Sequence, residues 1–303
     1  MRFPFRHEKR DADIEFGLFL IPEADDYAQL LTVAEYADGV GLDLIGIQDH
    51  PYQRRFLDTW TLITALAVRT SRISYFPDVA NLPLRNPAVL AKSVASLDIM
   101  TEGRVHLGLG AGAFRDAVAA MGGPRLSDGD AVRALGEAIA VVRAMWSDER
   151  AVRVVGNFHT LDGAHPGPTP RHRPGIWLGA KGPRMLALTG YAADGWLPSS
   201  SWAPPEFLDE ANKRIDDAAA TAGRDPAEVR RVYNVSGTIT DDRTDHGFLE
   251  GPVARWVDDL VALHRDQRVD GFVFWPIEGE PLDQIRRYAE QVVPAVRAET
   301  AAR

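Results

Sequence analysis

The sequence predicts an α/β protein of the (β/α)8 TIM-barrel class, and three observations carry that prediction. Short apolar runs alternate with amphipathic helical stretches along nearly the whole 303-residue chain. Eight such pairs can be read, and eight parallel strands is the number that closes a barrel. An open doubly wound sheet is the structural alternative, but it places a glycine fingerprint after its first strand, and nothing of the kind follows Leu20.

The elements run as follows. Residues 14–20 form the first strand, and a helix over 27–40 stops at Gly39 and Gly41. Strand two is 44–47 with a helix over 59–69, and strand three is 73–76. The next helix, 87–100, is opened by Asn86 as N-cap with Pro87 at the first helical position, where a missing N–H costs nothing, and it is closed by Gly103. Strand four, 105–109, runs into a long loop over 111–129, and its helix is 130–146. Strand five is 176–178 with a helix over 183–191; strand six is 195–197 with a helix over 206–222. Strand seven, 229–238, precedes a helix over 253–265, and strand eight, 271–275, precedes the last helix, 282–296. Between strands four and five, residues 151–174 read as an insertion. They comprise a strand over 152–155, a Gly156-Asn157 turn, a strand over 158–161 and a proline-rich lead into strand five. Such an excursion suits a lid or an oligomer contact. The whole of 1–303 is expected to be one barrel domain carrying this inserted hairpin.

Apolar residues make up 45% of the chain, enough for a large core without staples. The absence of cysteine removes thiol nucleophiles, disulfides and cysteine–zinc sites together. A net charge of −9 argues against nucleic acid or an anionic membrane surface as partner. The first ten residues are basic without the apolar run of a signal peptide, and no stretch approaches the roughly 20 apolar residues of a membrane span. A cytoplasmic enzyme acting on a small molecule is the class left. No metal is expected: His159, His165 and His172 lack acidic or cysteine partners at ligand spacing.

Active sites of such barrels lie where the strands end. Asp49-His50, after strand two, is the only acid–histidine pair directly following a strand. Its imidazole can move a proton near neutrality, with Asp49 holding a tautomer or capping the next helix; the alternative is a loop histidine packed under Pro51-Tyr52. Gly179-Ala180-Lys181-Gly182-Pro183 opens a helix whose unpaired N–H groups, with Lys181 and Arg184 nearby, suit a phosphate. The run Gly108–Gly112 is either a ligand cradle or a tight turn, because Ala113 breaks the dinucleotide pattern. Trp202 and Trp275 stand at strand ends and are candidates for a pocket lining.

Taken together, Gly39-Val-Gly-Leu-Asp43, Gln48-Asp-His50, Arg85-Asn-Pro-Ala-Val-Leu-Ala91, Gly103-Arg-Val-His-Leu-Gly-Leu-Gly-Ala-Gly112 and Gly182-Pro-Arg-Met-Leu186 up to Ala193-Asp-Gly-Trp196 resemble the bacterial luciferase-like superfamily of flavin-dependent oxidoreductases. The resemblance covers residues 14–290 and implies a barrel holding FMN or the deazaflavin coenzyme F420. The Asp-His pair and the Ala-Lys-Gly-Pro-Arg turn look more like the F420-using branch. The resemblance implies that His50 faces the deazaflavin ring with Asp49 beside it. Asp78 and Val79 fall where the family often has a non-prolyl cis peptide against the ring. Gly110, Ala111 and Gly112 would border the ring, and Gly179 to Pro183 the phosphate. Two departures stand out: sugar-phosphate dehydrogenases of this branch carry Glu where this chain has Ala113, and Trp where it has Arg54. The expected activity is therefore hydride transfer between F420 and a C=C, C=N or C=O bond of a small organic substrate, with His50 as the catalytic residue and a homodimer as the assembly. An FMN-dependent monooxygenase is the alternative, and a cofactor-free binding protein on the same barrel is the third reading.

Overall fold

The structure, a computed structural model, describes residues 14–242 and 247–301; the basic N-terminal run lies outside them. The parallel strands are β1 (Glu15–Leu20), β2 (Leu44–Ile47), β3 (Ser74–Pro77), β4 (Ala80–Asn81) and β5 (Leu107–Gly110). After a hairpin of β6 (Val152–Val154) and β7 (Leu161–Ala164) come β8 (Ile176–Leu178), β9 (Gly195–Trp196), β10 (Arg230–Ile239), the short β11 (Glu250–Gly251) and β12 (Gly271–Pro276). The neighbour order is β3-β2-β1-β12-β10-β9-β8-β5-β4, with every pairing along it parallel. The two ends of that path meet. Tyr75 N–H donates to the Arg104 carbonyl at 3.0 Å, and His106 N–H donates to the Tyr75 carbonyl at 2.9 Å. β3 and β4 thus form one bent stave, and eight staves make a parallel barrel, which removes the open-sheet alternative.

Two shells of apolar side chains hold it. Inside the barrel, Phe19, Leu44, Phe76, Trp177, Leu197, Val232 and Val273 pack on one another. Outside, a continuous layer joins the sheet to the helices, anchored by fully buried residues such as Trp256, Tyr288 and Phe272. The staves come close enough that side chains are excluded at some positions. A Cβ on Gly108 would lie 2.0 Å from the Pro77 carbonyl oxygen.

The helices follow the sequence reading in most places. α1 (Tyr27–Val40) ends at Gly41, which takes φ of 84°. α2 is Thr59–Ala67. α3 (Pro87–Thr101) is capped by Asn86, whose side-chain oxygen accepts from the N–H groups of Ala88 and Val89. Three differences stand out. The loop over 111–129 contains a short helix, α4 (Arg115–Ala120), ahead of α5 (Asp128–Met145), which Ser127 caps. The pair β3–β4 is broken at Asp78-Val79, so the chain leaves one neighbour and joins the next. The last helix is interrupted: α9 (Pro281–Arg287) passes through a π-turn over 288–292 into α10 (Val293–Ala301), where Pro294 supplies no N–H to the preceding turn. α6 (Pro183–Ala192), α7 (Pro205–Thr221) and α8 (Val253–Gln267) complete the ring.

The hairpin needs the largest correction. Its second strand is Leu161–Ala164, three residues beyond the predicted start, and Gly156-Asn157 is not a tight two-residue turn. The reason is Glu137 on α5. Its carboxylate accepts from the N–H groups of Asn157, Phe158 and His159 at 2.9, 2.7 and 2.9 Å, so the chain wraps around it before pairing. Among the described residues, no helix is long and apolar enough to cross a membrane.

Candidate active site

The carboxyl ends of the staves open into a cavity of about 1060 Å³. β2 delivers Asp49 and His50 to it, and their roles separate at once. Asp49 is buried and tied down. Arg85 donates to both of its oxygens at 2.7 and 2.6 Å, and Asn81 N–H donates to it at 2.9 Å. Arg85 also reaches Asp58 at 2.9 Å. Asp49 therefore pins the end of the β3–β4 stave, and its charge is met by a guanidinium in bidentate geometry. It does not cap the helix that follows; Asp58 does that for α2.

His50 is half-buried at the mouth. Its ring stacks on Tyr52, with centroids 5.3 Å apart and planes at 21°, and meets Phe114 edge-on at 5.4 Å. Burial holds its pKa below the ordinary histidine value, while the nearby Asp49 pushes it back up; the net shift is downward. His50 is thus a neutral imidazole at pH 7, able to accept a proton or to donate a hydrogen bond.

Opposite the mouth, the cavity wall is largely backbone. The Asp78–Val79 peptide is cis. The Val79 side chain lies across two glycines: a Cβ on Gly110 would be 2.6 Å from Val79 Cγ2, and one on Gly179 would be 3.1 Å away. Gly112 sits at φ of 85°, and a Cβ there would strike Pro83 at 2.5 Å. Ala111 continues this wall. Asp78 has one oxygen, Oδ2, shut off from solvent and without a hydrogen-bond partner. Burial pushes its carboxyl up to about 7, against the pull of the Asn234 amide. Asn81 Oδ1 and Asn234 Oδ1 are likewise buried and unpartnered.

The turn before α6 completes the site. Gly182, at the helix N-cap, has open space where a side chain would be. Lys181 reaches out with its Nζ 5.9 Å from the Trp202 ring centroid, and Arg184 lies beside Gly129 at the start of α5. Pro183 starts the helix at no cost in hydrogen bonds.

Of the positions singled out from sequence, Asp49, His50, Asp78, Val79, Gly110, Ala111, Gly112, Gly179, Lys181, Gly182 and Pro183 all line this one cavity, as do Trp202 and Trp275. Ala180 does not. Its side chain is buried among the core residues and its carbonyl accepts from Trp196 Nε1 at 2.8 Å. The alternation of a short strand end forces this, since neighbours point opposite ways. Sequence reasoning missed Phe114, Asn234 and the facing pair Arg115–Asp128. Asn234 interrupts the apolar run of Val232, Tyr233 and Val235 in β10, which was the available signal. Phe114 carried none. Among the described residues no histidine, cysteine, aspartate and glutamate cluster is arranged to hold a metal.

Residues 12–246 match the family model described as luciferase-like monooxygenase. The chain is 35% identical over 214 residues to a 5,10-methylenetetrahydromethanopterin reductase of Methanolobus tindarius, covering 71% of this chain and 62% of that protein. It is 27% identical over 261 residues to an F420-dependent glucose-6-phosphate dehydrogenase of Microbacterium testaceum (strain StLB037), covering 83% and 77%. The chain thus spans somewhat less than two thirds of the length of the first of these relatives. Among solved structures, an F420-dependent secondary alcohol dehydrogenase in complex with an F420-acetone adduct superposes with a TM-score of 0.83 over 94% of this chain and 99% of that one, at 19% identity, a likeness of fold. With the family model matching most of its length, the chain belongs to the luciferase-like monooxygenase family.

Proposed function

We propose that this chain is an F420-dependent oxidoreductase, passing hydride between the deazaflavin and a C=C, C=N or C=O bond of a small organic substrate. The observation that carries the reading is the set of unpartnered buried amide oxygens, Asn81 Oδ1 and Asn234 Oδ1, in the cavity whose wall is made of glycine and Val79. A buried acceptor without a donor costs about 1–3 kcal/mol, so such a set is accounted for by a ligand that brings N–H groups. A flat ring flanked by polar atoms has that character. The relative that is F420-dependent by name supports the choice of cofactor.

When bound, F420 supplies the ring carbon that gives or takes the hydride. Val79, Gly110, Ala111 and Gly112 would back the ring and fix its plane. The N–H groups at the start of α6, with Lys181 and Arg184, would hold the phosphate. His50 would serve the substrate side, accepting a proton on its imidazole when an alcohol or amine is oxidised and returning that proton to the substrate oxygen or nitrogen when the C=O or C=N bond is reduced. Because its pKa is lowered, the base form persists to mildly acidic pH. Oxidation should therefore fall only as the pH drops below the ordinary histidine value. The homodimer implied by the family resemblance and the cytoplasmic setting expected from the sequence belong to the same reading; equilibrium sedimentation tests the first.

Calorimetric titration with F420 and FMN side by side is the deciding experiment. F420 should bind and, when reduced, support turnover. Oxygen-dependent turnover with reduced FMN and none with reduced F420 overturns the proposal in favour of a monooxygenase. Failure of both to bind leaves a cofactor-free binding protein. His50→Ala should lower turnover by roughly 10²–10⁴-fold while cofactor affinity changes far less; an unchanged rate removes His50 from the mechanism.

A further inference from the structure

The mouth of the cavity differs from the rest of the site in one respect that the cofactor reading leaves unused. Tyr52 lines the cavity two residues after His50, yet its hydroxyl is buried and has no hydrogen-bond partner. A buried phenol ordinarily finds a partner, because leaving one unmade is costly. Burial, with Asp49 nearby, pushes the Tyr52 hydroxyl up to about 12, so it keeps its proton and can only be a donor or a neutral acceptor. The Phe114 ring lies against the Tyr52 ring. The two ring centroids are 5.9 Å apart at 56°, and both rings contact His50.

Phe114 is itself unusual on two counts. Its backbone is left-handed, with φ of 51° and ψ of 52°, a conformation that bulky residues seldom adopt. It is also 62% exposed, a large apolar side chain left on the surface. The left-handed residue aims an apolar face across the cavity mouth at the start of α4. Charge is cancelled around it: Arg115 is paired with Asp128 across the rim, and Arg85 with Asp49 and Asp58. The remaining cations, Lys181 and Arg184, stand at the α6 turn on the other side.

From this arrangement we infer that Tyr52 and Phe114 form the substrate subsite, and that it takes an uncharged, apolar molecule bearing one hydrogen-bond-accepting oxygen. Tyr52 donates its hydroxyl hydrogen to that oxygen, next to His50, and Phe114 covers the apolar body. Ala113 and Arg54 fit the same picture, since neither gives the cavity an acid or a cation with which to grip a sugar phosphate; Arg54 is exposed and outside the cavity lining. The inference rests on the proposed oxidoreductase reading for its place in catalysis, but the binding it describes can be measured without turnover.

Three probes of similar shape separate the terms: 4-phenylbutan-2-one, the oxygen-free butylbenzene, and the anionic 4-oxo-4-phenylbutanoate. Binding to the full chain is followed by tryptophan fluorescence, which Trp202 and Trp275 in the lining make sensitive. The ketone should bind about tenfold tighter than the hydrocarbon, the size of one well-made hydrogen bond, and tighter than the anion. Tyr52→Phe should bring the ketone down to the hydrocarbon's affinity and leave the hydrocarbon unchanged. Phe114→Ala should weaken both neutral probes alike. A ketone preference that survives Tyr52→Phe, or an anion that binds as tightly as the ketone, overturns the inference. A parallel titration with F420 keeps the two readings apart: loss of F420 binding with the ketone preference intact sinks only the cofactor reading, and the reverse result sinks only this one.

Discussion

The two walls of the cavity are built from different material. The wall toward β3–β4, β5 and β8 is backbone: glycines at 110, 112 and 179, a cis peptide, and the small Val79 laid across them. The mouth is side chain, with His50, Tyr52 and Phe114 in contact. A backbone wall has few ways to vary, because each change of residue adds atoms where none fit. A side-chain wall can be rebuilt residue by residue without moving the barrel. The first suits a ligand that stays the same, and the second a ligand that differs between relatives.

That contrast can be broken most severely at Asp49, which anchors the backbone wall while lying one residue from the mouth. Asp49→Ala leaves Arg85 buried with only Asp58, and frees Asn81 N–H at the end of β4. A loss of about 3 kcal/mol is expected, read by urea unfolding, since removing one partner of a buried pair strands the other charge. A loss below about 1 kcal/mol would mean that Asp58 alone satisfies Arg85.

A smaller effect is expected from Gly110→Ala. The added methyl would sit 2.6 Å from Val79 Cγ2, and the short, stiff valine has little room to yield. Stability should fall by about 1–2 kcal/mol, and F420 affinity by more than the probe affinities at the mouth. Equal losses on both sides would erase the division between the walls.

The smallest effect concerns Asp78→Asn and appears only as a pH dependence. In the folded protein Asp78 holds its proton up to about 7, whereas its ordinary value is 3.8. Between those values the folded state binds more protons than the unfolded one, so stability falls as pH rises through this window. The favourable contribution is complete below about 4 and gone above about 7. Melting curves at pH 5 and pH 8 should show the wild type losing more than Asp78→Asn. Identical losses would show that Asp78 ionises in the fold as it does in the unfolded chain.

The same division explains what could be read from sequence. Barrel staves are short apolar runs set by local pattern, and the backbone wall is written in glycines, so both are legible in the sequence. The contacts that complete the site join distant positions. Asp49 meets Arg85 from 36 residues away, and Phe114, after β5, meets His50, after β2, over the β3–β4 stave between them. Nothing local marks a phenylalanine that will take a left-handed backbone, and α4 was hidden because Gly112, Gly122 and Gly123 make its surroundings read as loop. The hairpin register failed for the same reason: three N–H groups chose Glu137, a partner 20 residues upstream, over a tight turn.

Glu137 also turns the hairpin into a fixed bracket on α5, with Val155 at its tip 94% exposed. Because the chain contains no cysteine, Val155→Cys would place one unique thiol there. A dye or spin label attached at that thiol would ride on a fixed mount, serving as one end of a distance ruler whose other end is a second label placed on α4.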